Sequence, residues 1–247
     1  SVDFSGDSLT LNSGAVTQAS NSVLTADTLI LNSSGSVTLD STTGNQVSNL
    51  GGVSASSLTL LNDASTALTA TASFSSSGAI VLSASDYTQN ADVDLSGTDI
   101  TITADTVTIN ANTDDNALQA SGTLTLRPRS SETSMSLGGS TGTFDLTTDE
   151  LTAIGGASTI VIGESGSTGT LTVDGTADFS GDSLTIYAGS IVDGASGVLT
   201  AGTLSADVGT GSIALDNADV HGISNLGAVT ADGGFTLDNG DTSLTVT

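Results

Sequence analysis

The octapeptide Asp3-Phe-Ser-Gly-Asp-Ser-Leu-Thr10 returns unchanged as Asp178-Phe-Ser-Gly-Asp-Ser-Leu-Thr185, 175 residues further along the chain. Val23-Leu-Thr-Ala26 recurs as Val198-Leu-Thr-Ala201, Gly35-Ser-Val-Thr-Leu-Asp40 as Gly211-Ser-Ile-Ala-Leu-Asp216, and Ser48-Asn-Leu-Gly51 as Ser224-Asn-Leu-Gly227. Residues 1–176 therefore read as one complete long repeat, and residues 177–247 as the start of the next, matching 2–71. A fixed period marks repeat architectures, in which a unit buries its apolar face only against its neighbours. The chain reads as a piece excised from a longer array rather than as a self-contained enzyme.

A shorter rhythm runs inside the long one. Apolar-x-apolar triplets occur at Leu9-Thr-Leu11, Leu29-Ile-Leu31, Val37-Thr-Leu39, Leu58-Thr-Leu60, Ile80-Val-Leu82 and Ile100-Thr-Ile102, and recur as Ile160-Val-Ile162, Leu184-Thr-Ile186 and Ile213-Ala-Leu215. Alternation of this kind is strand periodicity, with the outer two residues facing one way and the central one, most often Thr, the other. Between triplets lie Gly, Asn, Asp and Ser clusters such as Asn32-Ser-Ser-Gly35 and Asp238-Asn-Gly-Asp241, which supply turns. Short strands, tight corners and triplets about 20–24 residues apart predict an all-β chain: one continuous right-handed parallel β-helix, or β-solenoid, over 1–247. Coils stacked at the inter-strand spacing of ~4.8 Å would give ~40 Å per long repeat. An antiparallel sandwich would want longer alternating strands and Asn-Gly or Asp-Gly hairpins between them.

Composition supports this reading. The chain has one Pro, no Cys, no Trp and only seven Phe and Tyr residues, so aliphatic and small β-branched side chains must fill its core. A hydrophobic fraction of 36% and a positive mean hydropathy separate it from disordered sequences. Abundant Thr, Ser, Asp, Asn and Gly disfavour helix. Against 27 acidic residues stand only Arg127 and Arg129, giving a net charge of -25, which repels nucleic acid and anionic membranes. That charge favours solubility, divalent cations or high salt. The opening residues show no signal region, and no long apolar run predicts membrane insertion.

Two related segments, Gly44-Asn-Gln-Val-Ser-Asn-Leu-Gly-Gly-Val-Ser-Ala-Ser-Ser-Leu-Thr-Leu-Leu-Asn-Asp63 and Val220-His-Gly-Ile-Ser-Asn-Leu-Gly-Ala-Val-Thr-Ala-Asp-Gly-Gly-Phe-Thr-Leu-Asp-Asn239, resemble the shaft repeats of filamentous-haemagglutinin-type bacterial exoproteins. The resemblance covers most of the chain as a style of repeat rather than a fixed signature. It implies a β-helical shaft of a large secreted, cell-surface adhesin exported through an outer-membrane partner. The family's amino-terminal secretion domain has no counterpart here, and no functional residue is carried over. The expected partners are further copies of the chain, end to end or laterally, with cell-surface or matrix glycans as further candidates.

Parallel β-helices also include polysaccharide-active enzymes, whose chemistry makes definite demands on the side chains. A lyase needs a basic residue beside calcium-binding carboxylates, and the bases of that kind are Arg127, Arg129 and His221. A hydrolase needs convergent carboxylates; Asp219 alone closely precedes His221-Gly222, and the first-copy equivalent of His221 is Asn45. That exchange marks a tolerant turn position. Arg127-Pro128-Arg129 reads as a strand end whose guanidinium groups pair with nearby Asp or with Glu132, or as an inter-filament contact. The acidic loops at Asp40, Asp114-Asp115 and Asp238 to Asp241 lack calcium-loop spacing, which leaves room only for weak or structural calcium. Outward Thr rows such as Thr106 and Thr108 raise the alternative of an ice-binding face. No catalytic, cofactor-binding or metal-binding residue is assigned, and the expectation is a structural rod rather than an enzyme.

Overall fold

The computed structural model describes residues 1–110, 116–217 and 219–247. The chain is a parallel β-solenoid of about 11 turns with almost no helix. It divides into two compact units, Ser1–Leu124 with Ala153–Gly156, and Thr125–Thr152 with Ala157–Thr247.

In the first unit, long strands Val2–Ser13, Leu24–Ser33 and Gln46–Ala55 stack in parallel, Leu9 opposite Leu29 and Leu29 opposite Leu50. A second face stacks the shorter strands Ser36–Leu39, Ser57–Leu61, Ile80–Ser83 and Ile100–Thr103, so that Val37, Leu58, Ile80 and Ile100 form one inward file. Each triplet here presents two buried aliphatic residues and one outward residue, because side chains alternate across a strand. Leu29, Leu50, Leu58, Ile80 and Ile100 are fully enclosed, each contributing about 1.5–3 kcal/mol by burial. Beyond Gln46–Ala55 the long face forks: Leu68–Ala70 pairs with its middle and Phe74–Ser76 with its end.

In the second unit, strands Thr176–Tyr187, Val198–Asp207 and Gly222–Thr230 repeat the long-strand stack. Its register reproduces the first copy residue for residue. Phe4 opposite Ala26 becomes Phe179 opposite Ala201, and Leu9 opposite Leu29 becomes Leu184 opposite Leu204. The irregularity between Phe4 and Ser8 returns between Phe179 and Ser183. Tandem repetition is thus a property of the backbone as well as of the sequence.

One coil is longer than the expected 20–24 residues. Met135 lies opposite Leu171, 36 residues on, and the intervening chain folds Phe144–Thr147 back beside Met135–Gly138 in parallel. The short helix Thr148–Thr152 follows, where strand and turn were expected. Its start is a capping box: Glu150 Oε2 accepts from the Thr147 N–H and hydroxyl, both at 2.9 Å, and the Glu150 N–H points back to Thr147 Oγ1 at 3.3 Å.

Candidate functional site

His221, the lone histidine, is fully enclosed in the second unit. The Leu199 N–H donates to its Nδ1 at 3.0 Å, and its Nε2 lies 3.1 Å from Asp193 Oδ2. A backbone N–H can only donate, so Nδ1 holds a lone pair and the ring proton sits on Nε2, directed at the carboxylate. Asp193 Oδ2 also accepts the Asn217 N–H at 2.8 Å, while Asn217 Nδ2 donates to the carbonyls of Gly194 and Gly197. Four backbone groups at a coil corner are satisfied by three side chains.

The first copy meets the same demand with different chemistry. Asn45 Oδ1 accepts the Leu24 N–H at 3.0 Å and the Gln18 Nε2 at 2.6 Å. Gln18 Oε1 accepts the Ser41 N–H and the Asn45 Nδ2, both at 3.1 Å, and Gln18 Nε2 reaches the Ser22 carbonyl. Gln18, Ser41 and Asn45 therefore occupy the places of Asp193, Asn217 and His221. When Gln shortens to Asp it loses its donor, and the longer Asn217 takes over the bond to the Gly197 carbonyl. The position read from sequence as a tolerant turn is instead a buried bracket. Its partners change with it, Gln18 to Asp193 and Ser41 to Asn217, at the same offset of 175 or 176 residues. A second bracket is invariant in type: Asn62 grips the N–H and C=O of Val47 at 3.2 and 2.7 Å, and Asn239 those of Ile223 at 2.8 and 2.9 Å.

Arg127 ends the strand Thr123–Arg127 before Pro128, and its Nη1 lies 3.0 Å from Glu164 Oε2 rather than pairing with Glu132. That pair is a third exposed on both sides, so it adds at most about 1 kcal/mol. Arg129 lies past the strand end. Asp40, Asp219, Asp238 and Asp241 are exposed, and Asp114-Asp115 lies outside the described residues. Among the described residues no three potential metal ligands converge. Thr106 and Thr108 face outward as expected, Thr106 donating to Asp86 Oδ1 at 2.7 Å and Thr108 lying opposite Thr88.

Asp63 is the carboxylate most tightly held. Burial acts to raise its pKa, but donors from Gln46, Ser65 and Thr66 outweigh this and hold it down at about 2. The ordinary value is 3.8, so ionised Asp63 stabilises the fold fully above about pH 4, and this contribution disappears as pH falls through about 2. Asp63→Asn should flatten stability over that interval, by at most about 1 kcal/mol relative to the parent chain because solvent screens the carboxylate. Urea midpoints measured from pH 5 to 2 check this; identical slopes would remove the assignment.

Compared with known proteins, the chain matches no family model, no curated protein and no solved structure. The fold and its brackets define a tandem-repeat β-solenoid.

Proposed function

We propose that the chain is a structural rod segment of a long repetitive secreted or cell-surface bacterial fibre or adhesin, acting as a spacer and self-assembling shaft. The supporting observation is the recurrence of pairing register between the two copies, down to the irregularity in the long strand. A coil whose upper and lower faces carry equivalent strands can be followed by another like it without a new fold. In support of a structural role, His221 and Asp193 satisfy backbone groups at a corner, and Arg127 engages Glu164. The resemblance to haemagglutinin-type shafts supports secretion and surface display. The acidic exterior suits contact with other copies in salt or through cations, and with glycans rather than nucleic acid.

Concatemers test this. Chains carrying one, two and three 175-residue periods should scatter X-rays at small angles with constant cross-section and a length rising by ~40 Å per period. Independent particles joined flexibly would overturn the shaft.

A further inference from the structure

We propose that the open face of the Val2–Ser13 strand is a docking surface for a coil of the kind formed by residues 125–175, supplied by a further copy of the long repeat. The inference rests on the array reading and names the joint between repeats.

The chain contains this face twice, once covered and once bare. In Thr176–Tyr187, residues Ser183–Ile186 pair in parallel with Thr159–Ile162, Ile160 opposite Leu184 and Ile162 opposite Ile186. The first half of that strand is covered differently. The helix Thr148–Thr152 packs against it, and Thr148 Oγ1 donates to the Thr176 carbonyl at 3.0 Å. Beneath this cover Ala177 is 0% exposed and Phe179 2%.

The equivalent residues of the bare strand, Val2 and Phe4, are 52% and 38% exposed. Leu9 and Leu11, the counterparts of buried Leu184 and Ile186, are only half-buried. Together with Leu24 and Leu39 they line an apolar trough of about 400 Å³. The octapeptide is identical, the upward pairing matches, and the inward residues are apolar in both, Phe4 and Leu9 recurring as Phe179 and Leu184 while Val2 stands for Ala177 and Leu11 for Ile186, so the two faces are chemically alike. The occupant is thereby specified: a parallel apolar-x-apolar strand of the Ile160-Val-Ile162 type over Leu9 and Leu11, and a short capped helix over Val2 and Phe4. The open strand edge offers the backbone groups for the same ladder.

The test fuses a second copy of residues 125–176 ahead of Val2, so that Thr176 precedes Val2 as it precedes Ala177. Hydrogen exchange of the Ser8 and Thr10 amides, whose counterparts Ser183 and Thr185 face the covering strand, should slow at least 100-fold relative to the parent chain, and Ile160→Asp with Ile162→Asp in the added segment should abolish the gain. The second readout is Phe4→Asp. It should change the unfolding equilibrium constant at least tenfold more in the fusion than in the parent, where Phe4 is only partly covered. Unchanged exchange, or equal Phe4→Asp effects in both chains, overturns the docking surface. Failure here alongside concatemers that still extend at constant cross-section leaves the shaft standing and removes only this joint; flexible concatemers remove the shaft itself.

Discussion

His221→Ala should destabilise the protein by about 3–5 kcal/mol, a large share of the stability of a domain this size. The side chain is wholly enclosed and Asp193 nearly so, at 7% exposure. Truncating the imidazole leaves the Leu199 N–H without its acceptor and the Asp193 carboxylate with the Asn217 N–H but without the His221 donor. A buried charge stripped of a partner costs more than the pair contributed, because its desolvation is no longer offset. The protein carries its own control, since the first copy satisfies the same corner with Gln18, Ser41 and Asn45. The triple change Asp193→Gln, Asn217→Ser and His221→Asn should recover stability to within about 1 kcal/mol of the parent. Asp193→Gln alone should not, because it leaves Asn217 and His221 facing the wrong donor and acceptor. Urea unfolding of the four proteins decides this; a triple variant no more stable than His221→Ala would show that the brackets are not equivalent.

The parts of the fold legible in the sequence were those set by alternation. Val37-Thr-Leu39, Leu58-Thr-Leu60 and Ile100-Thr-Ile102 place their aliphatic residues inward as read, because period-two patterning leaves one choice of face. Parallel stacking was legible from the spacing, since short strands about 20 residues apart with glycine corners close on the coil below. The Met135–Gly138 and Phe144–Thr147 arch was not legible. Both segments carry the usual triplet, and nothing local tells a strand continuing the coil from one folding back beside its predecessor. The helix Thr148–Thr152 left a trace in Thr147 and Glu150, the spacing of a capping box, but five residues are too few for helical periodicity to emerge.

The brackets were half legible. Asn45 and His221 align, yet one side chain is an amide and the other an imidazole, and residue type alone suggests tolerance. What the corner conserves is a pattern of donors and acceptors, which only becomes visible once Gln18 and Asp193 are seen to exchange with them. The buried pair Tyr87 and Gln89 makes the same point in the first unit: the phenol donates to Gln89 Oε1 at 3.0 Å, and the Gln89 amide reaches the carbonyls of Val93 and Ala117. Burial raises the Tyr87 phenol pKa, keeping that hydroxyl a donor. Gln18, Asn45, Gln89, Asn217 and His221 are polar residues inside the solenoid that serve backbone groups.

Gly189→Ala and Gly14→Ala, equivalent positions in the two copies, should differ sharply. A Cβ at Gly189 would overlap the carbonyl oxygen of Thr168 in the coil below, while at Gly14 it would meet nothing within 4 Å. The same corner continues upward, where a Cβ at Gly211 would overlap the Gly189 carbonyl oxygen and one at Gly233 would stand 2.7 Å from that of Gly211. These glycines also carry the ladder, the Gly189 N–H donating to the Gly169 carbonyl at 2.7 Å and the Gly233 N–H to that of Gly211 at 2.8 Å. The coil cannot lift to admit a methyl group without stretching those bonds. Gly189→Ala and Gly211→Ala should each cost about 3 kcal/mol or more, the upper range for overpacking, and Gly14→Ala less than about 0.5 kcal/mol. Neither Gly14 nor Gly189 has positive φ, so backbone freedom does not distinguish them. The difference between them measures the coil beneath. In the chain fused to a second 125–176 segment, Gly14→Ala should become as costly as Gly189→Ala. Equal costs at both positions in the parent chain would locate the glycine requirement in the local turn and remove the stacking explanation.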